Sequence, residues 1–250
     1  MPRTGRPAGA GDIERELAAA KAAIEAKQFG QAEAELKAVL GRHAGGPLAA
    51  EALFLIGQAQ ELDGRGDEAV ATYAEFRARH KGHARWPDAT YQLAQLTASR
   101  KGSERDAIKL YTALFTQYPK SPRAPEAMFA KALIEERLKL RELDPTLAVS
   151  VPMSLLTYRE LTERYPSVAL AEHAFFRIGN MYDELKRYDL AVRAFEALGA
   201  GFPDSRYDPW FRAGDLYERR LKDREKARAA YAKVPPSSPR YKDAQKRAAR

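Results

Sequence analysis

Four histidines, 34 acidic side chains and no cysteine make up the reactive inventory of this 250-residue chain. Without cysteine there are no disulfides, no Cys-ligated zinc and no thiol nucleophile, and no attachment point for an N-terminal lipid. His80 and His83 flank Lys81-Gly82 with no carboxylate-bearing helix behind them, which makes a poor metal pair and reads as exposed linker histidines. His173 follows Glu172, yet no nucleophile stands at the spacing of a catalytic triad, and His43 is isolated. Gly64-Arg65-Gly66-Asp67-Glu68 has turn composition but lacks the lysine and preceding strand of a phosphate loop. The carboxylates are spread along helical faces, where such groups are mostly surface charge. These residues predict no enzyme, no cofactor and no metal site.

The elements that carry them are helical. Hydrophobic residues form 45% of the chain and charged residues 30%, enough to bury a core. No apolar run reaches the roughly 18–20 residues of a membrane span. Met1 to Gly11 lacks the apolar centre of a signal peptide and reads as a flexible lead. Net charge is +8, and it is unevenly placed: Arg219 to Arg250 holds twelve basic residues against Asp223, Glu225 and Asp243. Two readings of that basic end stay open, a solvated helical end or a contact with an acidic partner or phosphate.

A repeat underlies the whole chain. Small residues at Ala32, Ala69, Ala107, Ser154, Ala191 and Ala227 are spaced 37, 38, 47, 37 and 36 apart. Four residues after each comes a large one: Leu36, Tyr73, Tyr111, Tyr158, Phe195 and Tyr231. An offset of four, then three to the next apolar residue, keeps one helical stripe facing inward. Pro119, Pro166 and Pro203, each after an aromatic residue, cannot continue a helix. Upstream of each anchor a second small residue (Ala20, Gly57, Ala94, Ala132, Gly179, Gly214) marks a close helix crossing. The gap between the two small residues is twelve or thirteen, except for 22 between Ala132 and Ser154. About ten residues are inserted there, within 143–153. Leu147, Val149 and Val151 make this an apolar loop, and Pro145 and Pro152 are expected to end one helix and start the next. Lys131 falls where an apolar residue is expected, so repeat four has the weakest register.

A small residue, Ala twelve later, an aromatic four beyond and a closing Pro resembles the tetratricopeptide repeat, best in Phe175, Ile178, Gly179, Tyr182, Ala191, Phe195 and Pro203. The resemblance implies an all-α, right-handed solenoid of six helical hairpins over 12–237, a lead over 1–11 and a basic capping helix over 238–250. The joints Tyr118-Pro119-Lys120-Ser121, Tyr165-Pro166-Ser167 and Phe202-Pro203-Asp204-Ser205 are similar to those of bacterial cell-envelope repeat proteins. That group includes the Tol-Pal-associated cell-division coordinator, the barrel-assembly lipoprotein and gliding-motility lipoproteins. It implies a periplasmic interaction scaffold if the N-terminus is processed or truncated, and a cytoplasmic protein otherwise.

In such a solenoid the first helix of each hairpin lines the concave face. Counted by family geometry, position five reads Leu17, Phe54, Tyr91, Phe129, Phe176 and Phe211, and position two reads Glu51, Asp88, Glu126, His173 and Asp208. The expected groove is aromatic and acidic, suited to a peptide or partner helix bearing Lys or Arg. The other reading is that the aromatics pack between adjacent first helices. A protein partner leads; self-association of the basic end with the acidic groove is a further candidate. Nucleic acid through 219–250 is the alternative function, disfavoured because only Tyr231 and Tyr241 interleave that segment.

Overall fold

The computed structural model describes residues 10–43 and 47–249, so the lead over 1–11 lies almost wholly outside the described residues. The fold is all-α and of the helical-hairpin solenoid class, and the chain divides between Ala124 and Pro125 into two compact units.

The first unit holds three hairpins: α1 (Ala10–Glu25) with α2 (Phe29–Arg42), α3 (Pro47–Leu62) with α4 (Gly66–Arg79), and α5 (Trp86–Ala98) with α6 (Glu104–Gln117). Each helix packs on the next in order, and α1 also reaches α3. The second unit takes in α7 (Arg123–Arg137), which starts at the boundary, and α8 (Met153–Arg164). It continues with α9 (Ala169–Glu184), α10 (Tyr188–Gly201), α11 (Pro209–Leu216), α12 (Arg224–Ala232) and α13 (Tyr241–Ala248), the last within the expected cap.

Why these residues build hairpins is visible at the crossings. All six anchors are buried, as are the six large residues four positions on. A Cβ on Gly57 would lie 2.8 Å from the Tyr73 ring, and one on Gly179 would lie 2.6 Å from the Phe195 ring. The small residue of the first helix is thus the seat for the aromatic of the second. The turn between them is a left-handed residue, Lys27, Gly64, Lys139 or Lys186, seven positions after the small one. The next N–H closes back over it: Gln28 to Ala23, Arg65 to Gln60 and Arg187 to Tyr182 at 2.8 Å, Leu140 to Glu135 at 3.0 Å. In repeats three and six the left-handed residue (Gly102, Lys222) comes one position later. Repeat six absorbs that extra residue as a π-turn, Tyr217–Leu221, at the end of α11.

Second helices end on Tyr118, Tyr165 and Phe202, each before proline with ψ of 58 to 76°. His43 and His80 hold the same place at the ends of α2 and α4.

The insertion differs from its expected form. It is an antiparallel β-hairpin, β1 (Arg141–Asp144) paired with β2 (Val149–Pro152), Arg141 opposite Pro152 and Asp144 opposite Val149. α7 ends at Arg137, well before Pro145, and the left-handed Lys139 ends it; Pro145 instead sits in the hairpin turn. Pro152 does precede α8 as expected. Val151 is fully buried, whereas Leu143 is 64% exposed. Asp144, also buried, accepts from the Thr146 and Leu147 N–H groups and pairs with Arg159 at 2.8 Å, which holds it ionised below the usual carboxylate range against the opposing effect of burial. Lys131 is no register error either. Its Nζ lies 2.6 Å from the fully buried Glu135 and 2.7 Å from Thr157 Oγ1, while Thr157 donates to Glu135 at 2.7 Å.

Candidate functional site

Position two and position five lie on the first helices of both units, and in each unit the next repeat covers them. In the first unit Phe54 is buried, with Arg85 over its ring at 5.1 Å. Tyr91 is half-buried, with Arg123 over its ring at 5.0 Å. These arginines come from the N-terminal ends of α5 and α7, each three residues before the position-two carboxylate of its own repeat.

They are also the partners of the carboxylates. Glu51 takes Lys21 at 2.9 Å and Arg85 at 3.3 Å; Asp88 takes Arg123 at 2.8 Å and Arg85 at 3.6 Å. Burial alone would raise the Glu51 pKa, but the hydrogen bonds from Lys21 and Arg85 outweigh it and the net shift is downward. Lys21, Glu51, Arg85, Asp88 and Arg123 therefore alternate in sign along one face. The acidic stripe expected to draw a basic segment is already engaged by the chain's own cations. A concavity of about 310 Å³ remains beside it, lined by Lys21, Phe54, Gln58, Arg85, Asp88 and Arg123.

The second unit covers its rings differently. Phe129 packs on Tyr158 at 5.5 Å and on the His173 ring at 6.1 Å. His173 Nδ1 is hydrogen-bonded to the Tyr207 hydroxyl at 2.5 Å, and Tyr207 stacks on Phe176 at 4.1 Å. Arg212 lies over the Phe176 ring at 4.9 Å, and Arg240 and Arg247 lie over Phe211 at 5.2 and 5.3 Å. Asp208 accepts from Ser238 Oγ at 2.5 Å, and Glu126 is half-buried in the first turn of α7. In both units, then, the position-five rings pack against the second helix of their own repeat and against the start of the next. A concavity of about 350 Å³ opens among α9, α11 and α13.

Sequence reasoning missed a third hollow, of about 490 Å³, beneath the β-hairpin, where Leu140, Pro152 and Met181 meet Lys139, Arg141 and Arg177. The insertion length was its one available signal. Much of the basic end is spent internally: Arg219 on Asp215 at 2.8 Å, Lys226 on Asp223 at 3.1 Å, and Arg247 on Glu218 at 3.0 Å. Arg228 donates to the Ala248 carbonyl and Lys233 lies over Trp210.

His80 and His83 both pack on the Phe76 ring, at 5.3 and 5.7 Å, and burial, then the charges of Arg79 and His83, lower the His80 pKa. Among the described residues no three His, Asp or Glu side chains converge on a metal position, and no helix is long and apolar enough to cross a membrane.

Two tetratricopeptide repeat family models match the chain, one over residues 17–89 and the other over 173–205 and 210–235, together just over half of it. The chain belongs to the tetratricopeptide repeat family. Repeats of this family generally mediate protein–protein contacts. A search of curated proteins finds none similar in sequence. Among solved structures, the C-terminal part of a repeat protein from Cytophaga hutchinsonii superposes with a TM-score of 0.60 at 15% identity, covering 93% of this chain and 87% of that one. A repeat protein from Parabacteroides merdae gives 0.54 at 20% identity, covering 95% and 89%. YrrB, described as a repeat protein with an unusual peptide-binding site, gives 0.50 at 16% identity, covering 77% and 87%. At these identities the likeness is one of fold.

Proposed function

We propose that this tetratricopeptide repeat protein is a non-catalytic scaffold of a bacterial cell-envelope complex that seats segments of partner proteins on the first-helix faces of its units. The observation that carries the reading is the asymmetry within each hairpin. Second helices spend their large residues on the core, whereas first helices leave open concavities of about 310 and 350 Å³ rimmed by stacked guanidinium groups and carboxylates. Such surfaces offer fixed donors and acceptors beside apolar rings, the composition of a peptide-binding groove. The envelope assignment is supported by the resemblance of the aromatic-Pro-x-Ser joints.

The test is site-specific photo-crosslinking of the full chain in a bacterial envelope fraction. A crosslinker at Gln58 or Asn180, beside the two concavities, is expected to capture a discrete partner. One at Lys109, on the exposed side of α6, is expected to capture none. Capture from Lys109 alone would move the binding surface to the second helices.

A further inference from the structure

One device recurs three times: Arg85-Trp86-Pro87-Asp88-Ala89, Arg123-Ala124-Pro125-Glu126-Ala127 and Arg240-Tyr241-Lys242-Asp243-Ala244. Each time the arginine lies over the position-five ring of the preceding repeat, at 5.1, 5.0 and 5.2 Å. Arg85 and Arg123 then finish on that repeat's position-two carboxylate, Glu51 and Asp88. For Arg240 the corresponding carboxylate is Asp208, which accepts from Ser238 Oγ instead. Arg240 makes no ion pair among the described residues. Neither does Arg212, which lies over Phe176 and donates from Nε to the Tyr207 carbonyl at 2.9 Å. Both line the concavity among α9, α11 and α13.

We propose that this concavity receives an acidic segment of a partner protein, its carboxylates held by Arg212 and Arg240. The proposal rests on the first-helix face being the binding surface and adds the partner's chemistry, opposite in sign to the basic segment that the sequence suggested. A guanidinium stacked on a ring is partly desolvated on one face and keeps in-plane N–H donors for a carboxylate, with which it forms paired, charge-assisted bonds. The nearby carboxylates are mostly taken: Asp215 by Arg219 and Arg247, Glu218 by Arg247 and the Tyr231 hydroxyl. Asp183 and Asp208 are the exceptions: both line the same concavity without an ion pair among the described residues, and both act on Arg212 through space. Both oppose an incoming carboxylate, Asp208 less freely because it accepts from Ser238. The nine-charge basic surplus of Arg219 to Arg250 gives this end of the chain a field that steers acidic partners toward it.

Fluorescence anisotropy with the full chain tests this directly. The probes are a labelled twelve-residue Asp/Glu-rich peptide, its Asn/Gln counterpart, a Lys-rich peptide and a single-stranded oligonucleotide of equal charge. The acidic peptide is expected to bind at least about tenfold more tightly than the Asn/Gln peptide. Arg212→Gln with Arg240→Gln should weaken it about 10- to 100-fold, and Asp183→Asn should tighten it about threefold. Lys101→Gln with Lys109→Gln, in the first unit, should leave it unchanged. Circular dichroism of each variant confirms retained helicity, and these side chains lie outside the core clusters. Acidic-peptide binding indifferent to the arginine pair overturns the proposal. So does preference for the Lys-rich peptide, or oligonucleotide binding that is tighter and survives the double substitution. A partner crosslinked through Asn180 without acidic-peptide binding removes this inference and leaves the scaffold reading standing. Arginine-dependent peptide binding without any crosslinked partner does the reverse.

Discussion

The two units solve one packing problem with different charge closure. In the first, each cation that covers a position-five ring ends on a carboxylate one repeat back, so the charges from Lys21 to Arg123 are joined in one chain of ion pairs. In the second, a histidine–tyrosine hydrogen bond and two arginines without ion pairs stand in the equivalent places. Stacking needs a flat or cationic group over each ring, and either solution supplies one. What the two faces leave differs: cations engaged in ion pairs in the first unit and, in the second, the Arg212 and Arg240 guanidinium groups with no ion pair among the described residues.

The largest expected effect tests whether the units share their packing. Tyr73→Ala and Phe195→Ala should each cost about 3–5 kcal/mol of stability in urea unfolding, because each removes the ring seated on a glycine of the first helix. A loss in one unit several times that in the other would break the equivalence. Gly57→Ala and Gly179→Ala approach the same contact from the other side and should cost about 1–3 kcal/mol, since the added Cβ meets the ring at 2.8 and 2.6 Å.

A third prediction belongs to the first unit alone. Glu33 is buried, which by itself would raise its pKa, but Lys37, Arg65 and Gln60 hydrogen-bond it and bring the value down to about 2. A carboxylate with a lowered folded pKa adds stability above its unfolded value, and that stability is lost as pH falls. On the order of 1–3 kcal/mol should disappear between about pH 5 and 2. Glu33→Gln should flatten that acid limb in urea titrations at pH 7 and pH 3. An unchanged limb would place the acid sensitivity elsewhere.

The smallest effect bears on the charge contrast itself. Glu51→Gln removes the shared partner of Lys21 and Arg85, half-exposed cations, and should cost about 0.5–1 kcal/mol. Asp208→Asn should cost less than about 0.5 kcal/mol, because an amide oxygen can still accept from Ser238. Equal losses would mean that the faces are less different than their ion pairs indicate.

The fold was legible because its signal is local. A small residue, a twelve- or thirteen-residue gap and a ring four further on describe one crossing of two adjacent helices, and each part lies within a single hairpin. The hairpin insertion was legible in length but not in form. Pro152 does start the next helix, but Pro145 read as the end of the preceding one, whereas Asp144, bonded to the Thr146 and Leu147 N–H groups and to Arg159, organises a β-turn there. Lys131 read as a flaw because its partner Glu135 carries a charge that sequence places at the surface.

Amino-acid order alone determined the class of fold and the number of hairpins, since steric seats and helical periodicity act over a few residues. Tertiary structure decided which charges are spent. Glu51 and Arg85 are 34 residues apart and meet only when two repeats stack, whereas Asp208, 32 residues before Arg240, is hydrogen-bonded by Ser238 instead. Coulombic partners are chosen by distance in space, so equivalent repeat positions end in a salt bridge at Glu51 and in a hydroxyl hydrogen bond at Asp208.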